Sequence, residues 1–316
     1  MPTEISRTIV PTPAQQAWMD LRFGMFVHFS MNTFYQVELG DGKEDPARFD
    51  PANFDPEQWA DAAVAARMKY AVITTKHHEG FCLWPSKLTE YNILATPMGR
   101  DVLREICEAF QSRGIRTGLY YSLWDIHEPS YRDDAAYVDF MIGQLTELLS
   151  DYGPVLELWF DGGWVKGHWG WYDATRWGWQ RLYDHIKSLQ PDCLVLCNPG
   201  KMNGGELALS PVDLNCVERV FSRTEDVPYV PDLRPIRRVG EGTFLYLPIE
   251  TCDSLHPSWY HNPDEMPHDA ERIVEWLKVA RERGGNLLLN VPPTDAGVIR
   301  EDGVAVLAEV GQAVWA

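Results

Sequence analysis

The chain has 316 residues, 45% of them hydrophobic, enough for the single core of a (β/α)8 barrel, which needs about 250 residues. A formal charge of −18 and a pI near 4.8 argue against nucleic acid or an anionic membrane surface as partner. No stretch approaches the ~18 apolar residues of a membrane span, and Met1 to Gln16 has no apolar signal-peptide core.

The expected location is therefore cytoplasmic, or secreted or periplasmic if a leader was removed. The six cysteines are scattered, without the close Cys and His pairs of a zinc site. Thirteen Trp and thirteen Tyr are many for this length and offer platforms for sugar rings.

In chain order, short apolar runs alternate with amphipathic stretches, the pattern of βαβ units around a parallel sheet. The first strand is predicted at Gly24–Ser30, and a helix over Pro51–Met68, starting from Asp55. Tyr70–Thr75 is the second strand, and Gly99–Ser112 a helix that Gly114 ends. The third strand, Thr117–Ser122, precedes a long helix from Asp133 to Asp151. Val155–Phe160, the fourth strand, runs straight into Asp161 and the pair Gly162-Gly163. An aromatic loop with Trp164, Trp169 and Trp171 follows, then a helix from Asp173 to Leu189.

Cys193–Cys197 is the fifth strand, and the sixth falls around Val212–Val217. The seventh is placed at Phe244–Ile249, ending at Glu250; a helix from Asp264 to Arg283 leads to the eighth, Asn286–Val291, and a last helix starts at Glu301. The fold class is α/β: one (β/α)8 TIM-like barrel over residues 1–316, irregular around its fifth and sixth strands. Gly200 to Gly242 shows no helix, and long irregular loops usually carry function.

In such a barrel the C-terminal ends of the strands meet at one mouth, where the chemistry sits. Here they bring His28, His77, His78, Tyr121, Asp161, Glu250 and Asn290. Three chemistries could use this set. His28, His77, His78 and Asp161 could bind Zn²⁺ in a metal-dependent hydrolase. Against this, adjacent residues of an extended segment, such as His77 and His78, point in opposite directions. Asp161 with a second acid could hydrolyse a glycoside. Or the barrel could bind sugar without catalysis, using the same aromatics.

Motifs spread along the chain bear on the choice, and an inactive sugar-binding barrel or a metal-dependent hydrolase stays as the alternative reading. The motifs are Arg22-Phe23-Gly24-Met25-Phe26-Val27-His28-Phe29, Thr75-Lys76-His77-His78-Glu79-Gly80-Phe81, Gly118-Leu119-Tyr120-Tyr121-Ser122, Leu158-Trp159-Phe160-Asp161-Gly162, Ile249-Glu250-Thr251-Cys252 with Ser258-Trp259, and Gly284-Gly285-Asn286-Leu287-Leu288-Leu289-Asn290-Val291. Carrying them, the chain resembles the retaining α-L-fucosidases of glycoside hydrolase family 29.

The resemblance implies an exo-glycosidase that releases α-L-fucose through a covalent fucosyl-enzyme. Asp161 would be the nucleophile and Glu218 the acid/base, with Glu206 as the alternative acid. His28, His77 and His78 would contact fucose hydroxyls, Tyr121 and Trp159 would line the pocket, and Glu38, Glu250 and Trp259 would complete it. Phe29 or Trp259 would face the sugar methyl. Neither a metal nor another cofactor is implied. The implied partner is a fucosylated oligosaccharide or glycoconjugate, and a homo-oligomer is compatible with it. Where some relatives carry Arg after the fifth strand, this chain reads Asn198-Pro199-Gly200-Lys201, and Leu39 replaces a Trp after Glu38. No β-sandwich is expected after the last helix, so leaving-group contacts would come from barrel loops or a neighbouring subunit.

Overall fold

Thr12 opens the first helix by taking the Gln15 N–H on its hydroxyl, while the Gln15 side chain returns to the Thr12 N–H at 2.8 Å. The computed structural model describes residues 9–163, 176–198, 209–221, 236–238 and 244–314. Its elements, in order, are α1 (Pro13–Met19), β1 (Phe23–Val27), α2 (Met31–Tyr35), α3 (Pro56–Ala65), β2 (Tyr70–Lys76), α4 (Val102–Ser112), β3 (Arg116–Ser122), α5 (Asp134–Asp151) and β4 (Glu157–Asp161). They continue with α6 (Trp179–Leu189), β5 (Leu194–Cys197), β6 (Asn215–Glu218), β7 (Ile236–Arg238), β8 (Phe244–Tyr246), β9 (Ile249–Ser254), α7 (Ala270–Glu282), β10 (Asn286–Asn290) and α8 (Glu301–Ala313). Asp55, Asp101, Asp133 and Asp269 each cap a helix by accepting backbone N–H bonds of its first turn. None of the described helices is long and apolar enough to cross a membrane.

Eight strands form one parallel sheet in the order β5-β4-β3-β2-β1-β10-β9-β6. It curls into a nearly closed barrel whose seam lies between β5 and β6. There a side chain stands in for the ladder. The Asp213 carboxylate accepts the Val195 N–H at 2.9 Å, the Tyr183 hydroxyl at 2.9 Å and Lys187 Nζ at 2.7 Å. The N–H groups of Asp213 and Leu214 donate back to the Val195 carbonyl.

The expected seventh strand divides in two. Phe244–Tyr246 pairs antiparallel with Ile236–Arg238 in a separate ribbon, and the barrel strand is Ile249–Ser254. Glu250 therefore lies near the start of its strand, opposite Cys216 and Asn286, and not at the mouth. Helix α7 begins at its Asp269 cap, later than expected, and α1 and α2 were not anticipated.

Alternation fixes what faces inward. On β4, Trp159 packs in the barrel interior, while Leu158 and Phe160 join the layer between sheet and helices. Glu157, Trp159 and Asp161 thus share the inner face, from the N-terminal end of the barrel to its mouth. Gly118 on β3 makes room for the first of them. A Cβ there would lie 2.8 Å from Glu157 Cγ, 3.1 Å from the Glu157 carbonyl oxygen and 3.2 Å from Val72. Gly118→Ala should destabilise the protein by about 1–3 kcal/mol, read as a lower midpoint of thermal unfolding.

Candidate active site

Asp161 ends β4 and Glu218 ends β6, so both carboxylates stand at the C-terminal mouth. Asp161 is nearly enclosed, at 9% exposure, and Glu218 is half-buried. Three donors converge on Asp161. Tyr120 donates its hydroxyl to Oδ2 at 3.0 Å, and Oδ1 accepts the Gly162 N–H at 2.8 Å and Asn198 Nδ2 at 3.3 Å. Gly162 has φ +70°, a left-handed backbone that favours glycine, and an added Cβ would meet Trp124 Cβ at 2.8 Å.

Asn198 also donates to Glu218 Oε2, at 2.6 Å. One amide nitrogen thus bridges the two acids. Bonds of 2.6 and 3.3 Å to a single atom hold those oxygens within about 6 Å of each other. Burial, and then the charge of Glu218, pushes Asp161 up to about 7. The three donors act in the opposite direction and favour its ionised form.

The imidazoles line one side. His28 Nδ1 lies 2.8 Å from Asn290 Oδ1, while Asn290 Nδ2 donates to Ser254 Oγ and to the Trp259 carbonyl. This orients the amide so that its oxygen accepts, which leaves Nε2 of His28 as an acceptor. The ring stacks on Trp259 at 5.2 Å. Burial, and then the neighbouring His77, holds His28 well below its usual range, so it is neutral at pH 7. The same two causes hold His78 down. Its Nδ1 meets Ser122 Oγ at 2.6 Å, and Nε2 stands 3.7 Å from Asp161 Oδ2.

His77 and His78 both face the site, contrary to the alternation expected of an extended pair. The register between β2 and β3 shifts between Thr74 and Lys76, and both residues lie beyond the strand end. His77 stacks on Tyr120 at 5.6 Å and sits 4.2 Å from His78, between ring centroids. Its Nδ1 lies 3.4 Å from Glu79 Oε2, a fully buried acid.

Several expected contacts lie elsewhere. Tyr121 points away from the mouth into the layer behind the sheet, where it donates to Gln144 at 2.6 Å and accepts from Lys76 at 3.0 Å. Tyr120 occupies the inner position. Phe29 packs behind the sheet against Phe34, Phe49 and Trp59. The apolar wall near His28 comes instead from Phe26, 4.5 Å away, and from Trp259. Trp159 lies beneath the mouth, stacked on Tyr120 at 5.4 Å. Glu250, fully buried, bonds the far edge of that indole at 2.9 Å and cannot reach a ligand above it. Glu38 stays at the rim, accepting the Trp259 N–H at 2.9 Å.

Glu206, Lys201 and the aromatic loop with Trp164, Trp169 and Trp171 lie outside the described residues. Among the described residues, no group of three or more His, Cys, Asp or Glu could hold a metal ion. Tyr120, Asn198 and Glu79 were missed as site residues. Tyr120 shares parity with Gly118 and Ser122 on β3, and it is the register against β4 that turns this face inward.

Two carboxylates at one mouth, with the neutral imidazoles of His28 and His78 and an indole beside them, suit a sugar. The family model described as alpha-L-fucosidase matches residues 4–315. The chain belongs to the alpha-L-fucosidases of glycoside hydrolase family 29.

Among curated alpha-L-fucosidases, a putative alpha-L-fucosidase 1 from Oryza sativa subsp. japonica is 35% identical over 95% of this chain and 58% of its own length. Alpha-L-fucosidase 1 from Arabidopsis thaliana is 32% identical over 96% of this chain and 60% of its own. The chain thus spans under two thirds of these relatives. The solved structure of alpha-L-fucosidase isoenzyme 1 from Paenibacillus thiaminolyticus is 33% identical, with a TM-score of 0.76, over 95% of this chain and 75% of that one. The barrel is therefore the alpha-L-fucosidase barrel.

Tyr120→Phe should lower kcat roughly 10–100-fold, as loss of a hydrogen bond to a charged group implies, and move the acid limb of the pH profile upward. The sign follows because the Tyr120 bond holds the Asp161 value down. Tyr121→Phe should leave that limb in place and affect stability alone. Initial rates across pH separate the two.

Proposed function

We propose that this chain is a retaining exo-α-L-fucosidase, acting on fucosylated oligosaccharides or glycoconjugates at the mouth of the barrel. Asp161, ionised, attacks the anomeric carbon as the bond to the leaving oxygen breaks, and Glu218 gives its proton to that oxygen. A fucosyl ester on Asp161 results. Glu218 then takes a proton from water, which attacks the same carbon and frees Asp161. The neutral His28 accepts from a sugar hydroxyl, His77 and His78 bind others, and Trp259 with Phe26 covers the C5 methyl. No cofactor enters the cycle.

The observation that carries this reading is the shared Asn198 amide. It keeps the facing carboxylate oxygens within about 6 Å, close to the ~5–5.5 Å of retaining pairs and short of the ~6.5–9.5 Å that admits water in inverting ones. The same bridge favours Glu218 as the acid/base. The test is hydrolysis of an aryl α-L-fucoside, followed by proton NMR. First appearance of the α-anomer of fucose is expected. The β-anomer appearing first would overturn retention, and no turnover against an active control enzyme would overturn the reading itself.

A further inference from the structure

A second pair of acids lies at the closed end of the barrel, under Trp159 and away from the mouth. Glu157 opens β4 and Glu250 stands near the start of β9, and both are fully buried. Glu250 receives two donors, the Tyr70 hydroxyl on Oε1 at 2.7 Å and Trp159 Nε1 on Oε2 at 2.9 Å. Glu157 Oε2 receives Trp18 Nε1 at 2.6 Å. Its other oxygen, Oε1, is buried and meets no donor, although the two carboxyl groups contact each other. Two carboxylates in contact hold no hydrogen for a bond between them.

The surroundings are shaped for this pair. Gly118 leaves the space that the Glu157 side chain fills, and a Cβ on Gly24 would come within 2.5 Å of the Tyr70 ring. An apolar pair in place of the acids would leave the Trp18, Trp159 and Tyr70 donors buried and unmatched. From Glu250 the contacts run upward. Trp159 is gripped from below at its Nε1, its ring stacks on Tyr120, and Tyr120 donates to Asp161.

We propose that Glu157 and Glu250 share one proton, carried on Glu157 Oε1 and donated to the Glu250 carboxylate, and that this pair is a positioning device for Trp159, Tyr120 and the nucleophile Asp161. The positioning half deepens the fucosidase reading and rests on it. The shared proton stands on the floor geometry alone. Burial, and then the charge of Glu250, pushes Glu157 well up. Burial also raises Glu250, to about 7, against the donated bonds that hold it down. One proton on the pair removes the like-charge repulsion, and the donors gathered on Glu250 leave the negative charge there.

The assignment makes the two acids unequal, and amides test that. Gln at 157 copies a protonated Glu: its oxygen accepts from Trp18 and its nitrogen donates to Glu250. Gln at 250 puts an NH2 against donors. In full-length protein, Glu157→Gln should leave the Trp159 indole resonance, assigned by its loss in Trp159→Phe, in place in a ¹⁵N-correlated spectrum. It should also remove the infrared band of a buried protonated carboxyl that Asp161→Asn and Glu218→Ala both retain, and keep kcat within about twofold. Glu250→Gln should shift that resonance and lower kcat about tenfold with little change in KM.

A Glu157→Gln protein that retains the band, or whose Trp159 resonance shifts, overturns the shared proton. That variant decides this half even if Glu250→Gln does not fold. An unshifted kcat in folded Glu250→Gln, or loss of kcat in Glu157→Gln, overturns the positioning role. Inactive wild-type protein would instead overturn the fucosidase reading, and the positioning of a nucleophile with it. The band and the resonance would still report on the proton.

Discussion

Asp161→Asn should lose turnover of an aryl α-L-fucoside by roughly 10³-fold or more, and yet be the more stable protein at pH 8. The two effects have one cause. A nucleophile must be ionised, but burial and the facing Glu218 raise its folded value from 3.8 to about 7. A group raised in this way contributes stability fully below its unfolded value and loses it as pH rises through the folded one. For Asp161 the window runs from about pH 4 to about pH 7.

Above that window the wild type carries the cost of a buried charge, worth on the order of a few kcal/mol at 1.36 kcal/mol per unit. Asparagine removes the charge and keeps an oxygen to accept from Gly162 and Asn198. The unfolding midpoint of the variant should therefore exceed that of the wild type by several degrees at pH 8, and the gap should narrow markedly by pH 5 and close only near pH 4. An equal gap at both values would mean that Asp161 titrates normally and that its site is wetter than its 9% exposure indicates. Asp161→Gly with azide adds a chemical check. Azide attacking the vacated face should yield the β-fucosyl azide.

The barrel was legible in the sequence because most strands are apolar runs closed by Gly or a polar turn, with an amphipathic helix next. Asp161 was legible for the same reason, as the first acid after such a run. What failed was parity. The pair Tyr120-Tyr121 offers two phenols, and only one can face inward. The register that sets Ser122 opposite Asp161 places Tyr120 on the inner face beside Trp159. That register follows from strand pairing, which no single stretch encodes.

His77 and His78 erred in the opposite sense. Alternation was applied across a point where β2 loses its register, and both rings reach the mouth. Glu250 was placed at a strand end because Phe244–Tyr246 has the composition of a barrel strand. Pairing with Ile236–Arg238 takes it out of the barrel, and the true strand begins at Ile249. Asn198 carried no signal at all. A neutral amide in Asn-Pro-Gly reads as a turn residue, and its role exists only because β5 and β6 end side by side.

Glu218→Ala should separate substrates by their leaving groups. General acid catalysis contributes about 10²–10⁴-fold, but only where the departing oxygen needs a proton. On a natural fucoside with a sugar alcohol as leaving group, kcat/KM should fall over that whole range. An aryl fucoside with an acidic phenol leaves unaided, so formation of the fucosyl ester should be nearly preserved. Hydrolysis of that ester then lacks its base, and kcat falls while KM falls with it as the ester accumulates.

Added azide needs no base. It should restore kcat and give the α-fucosyl azide, the opposite anomer to the product of Asp161→Gly. Near-normal activity of Glu218→Ala on the natural substrate would remove Glu218 as the acid and return the role to Glu206. Asn198 sharpens the comparison, because its amide touches both carboxylates. Asn198→Ala should lower kcat on both substrate types alike, since it loosens the nucleophile as well as the acid. The leaving-group dependence therefore belongs to Glu218 alone, and a set of aryl fucosides of graded phenol acidity measures it.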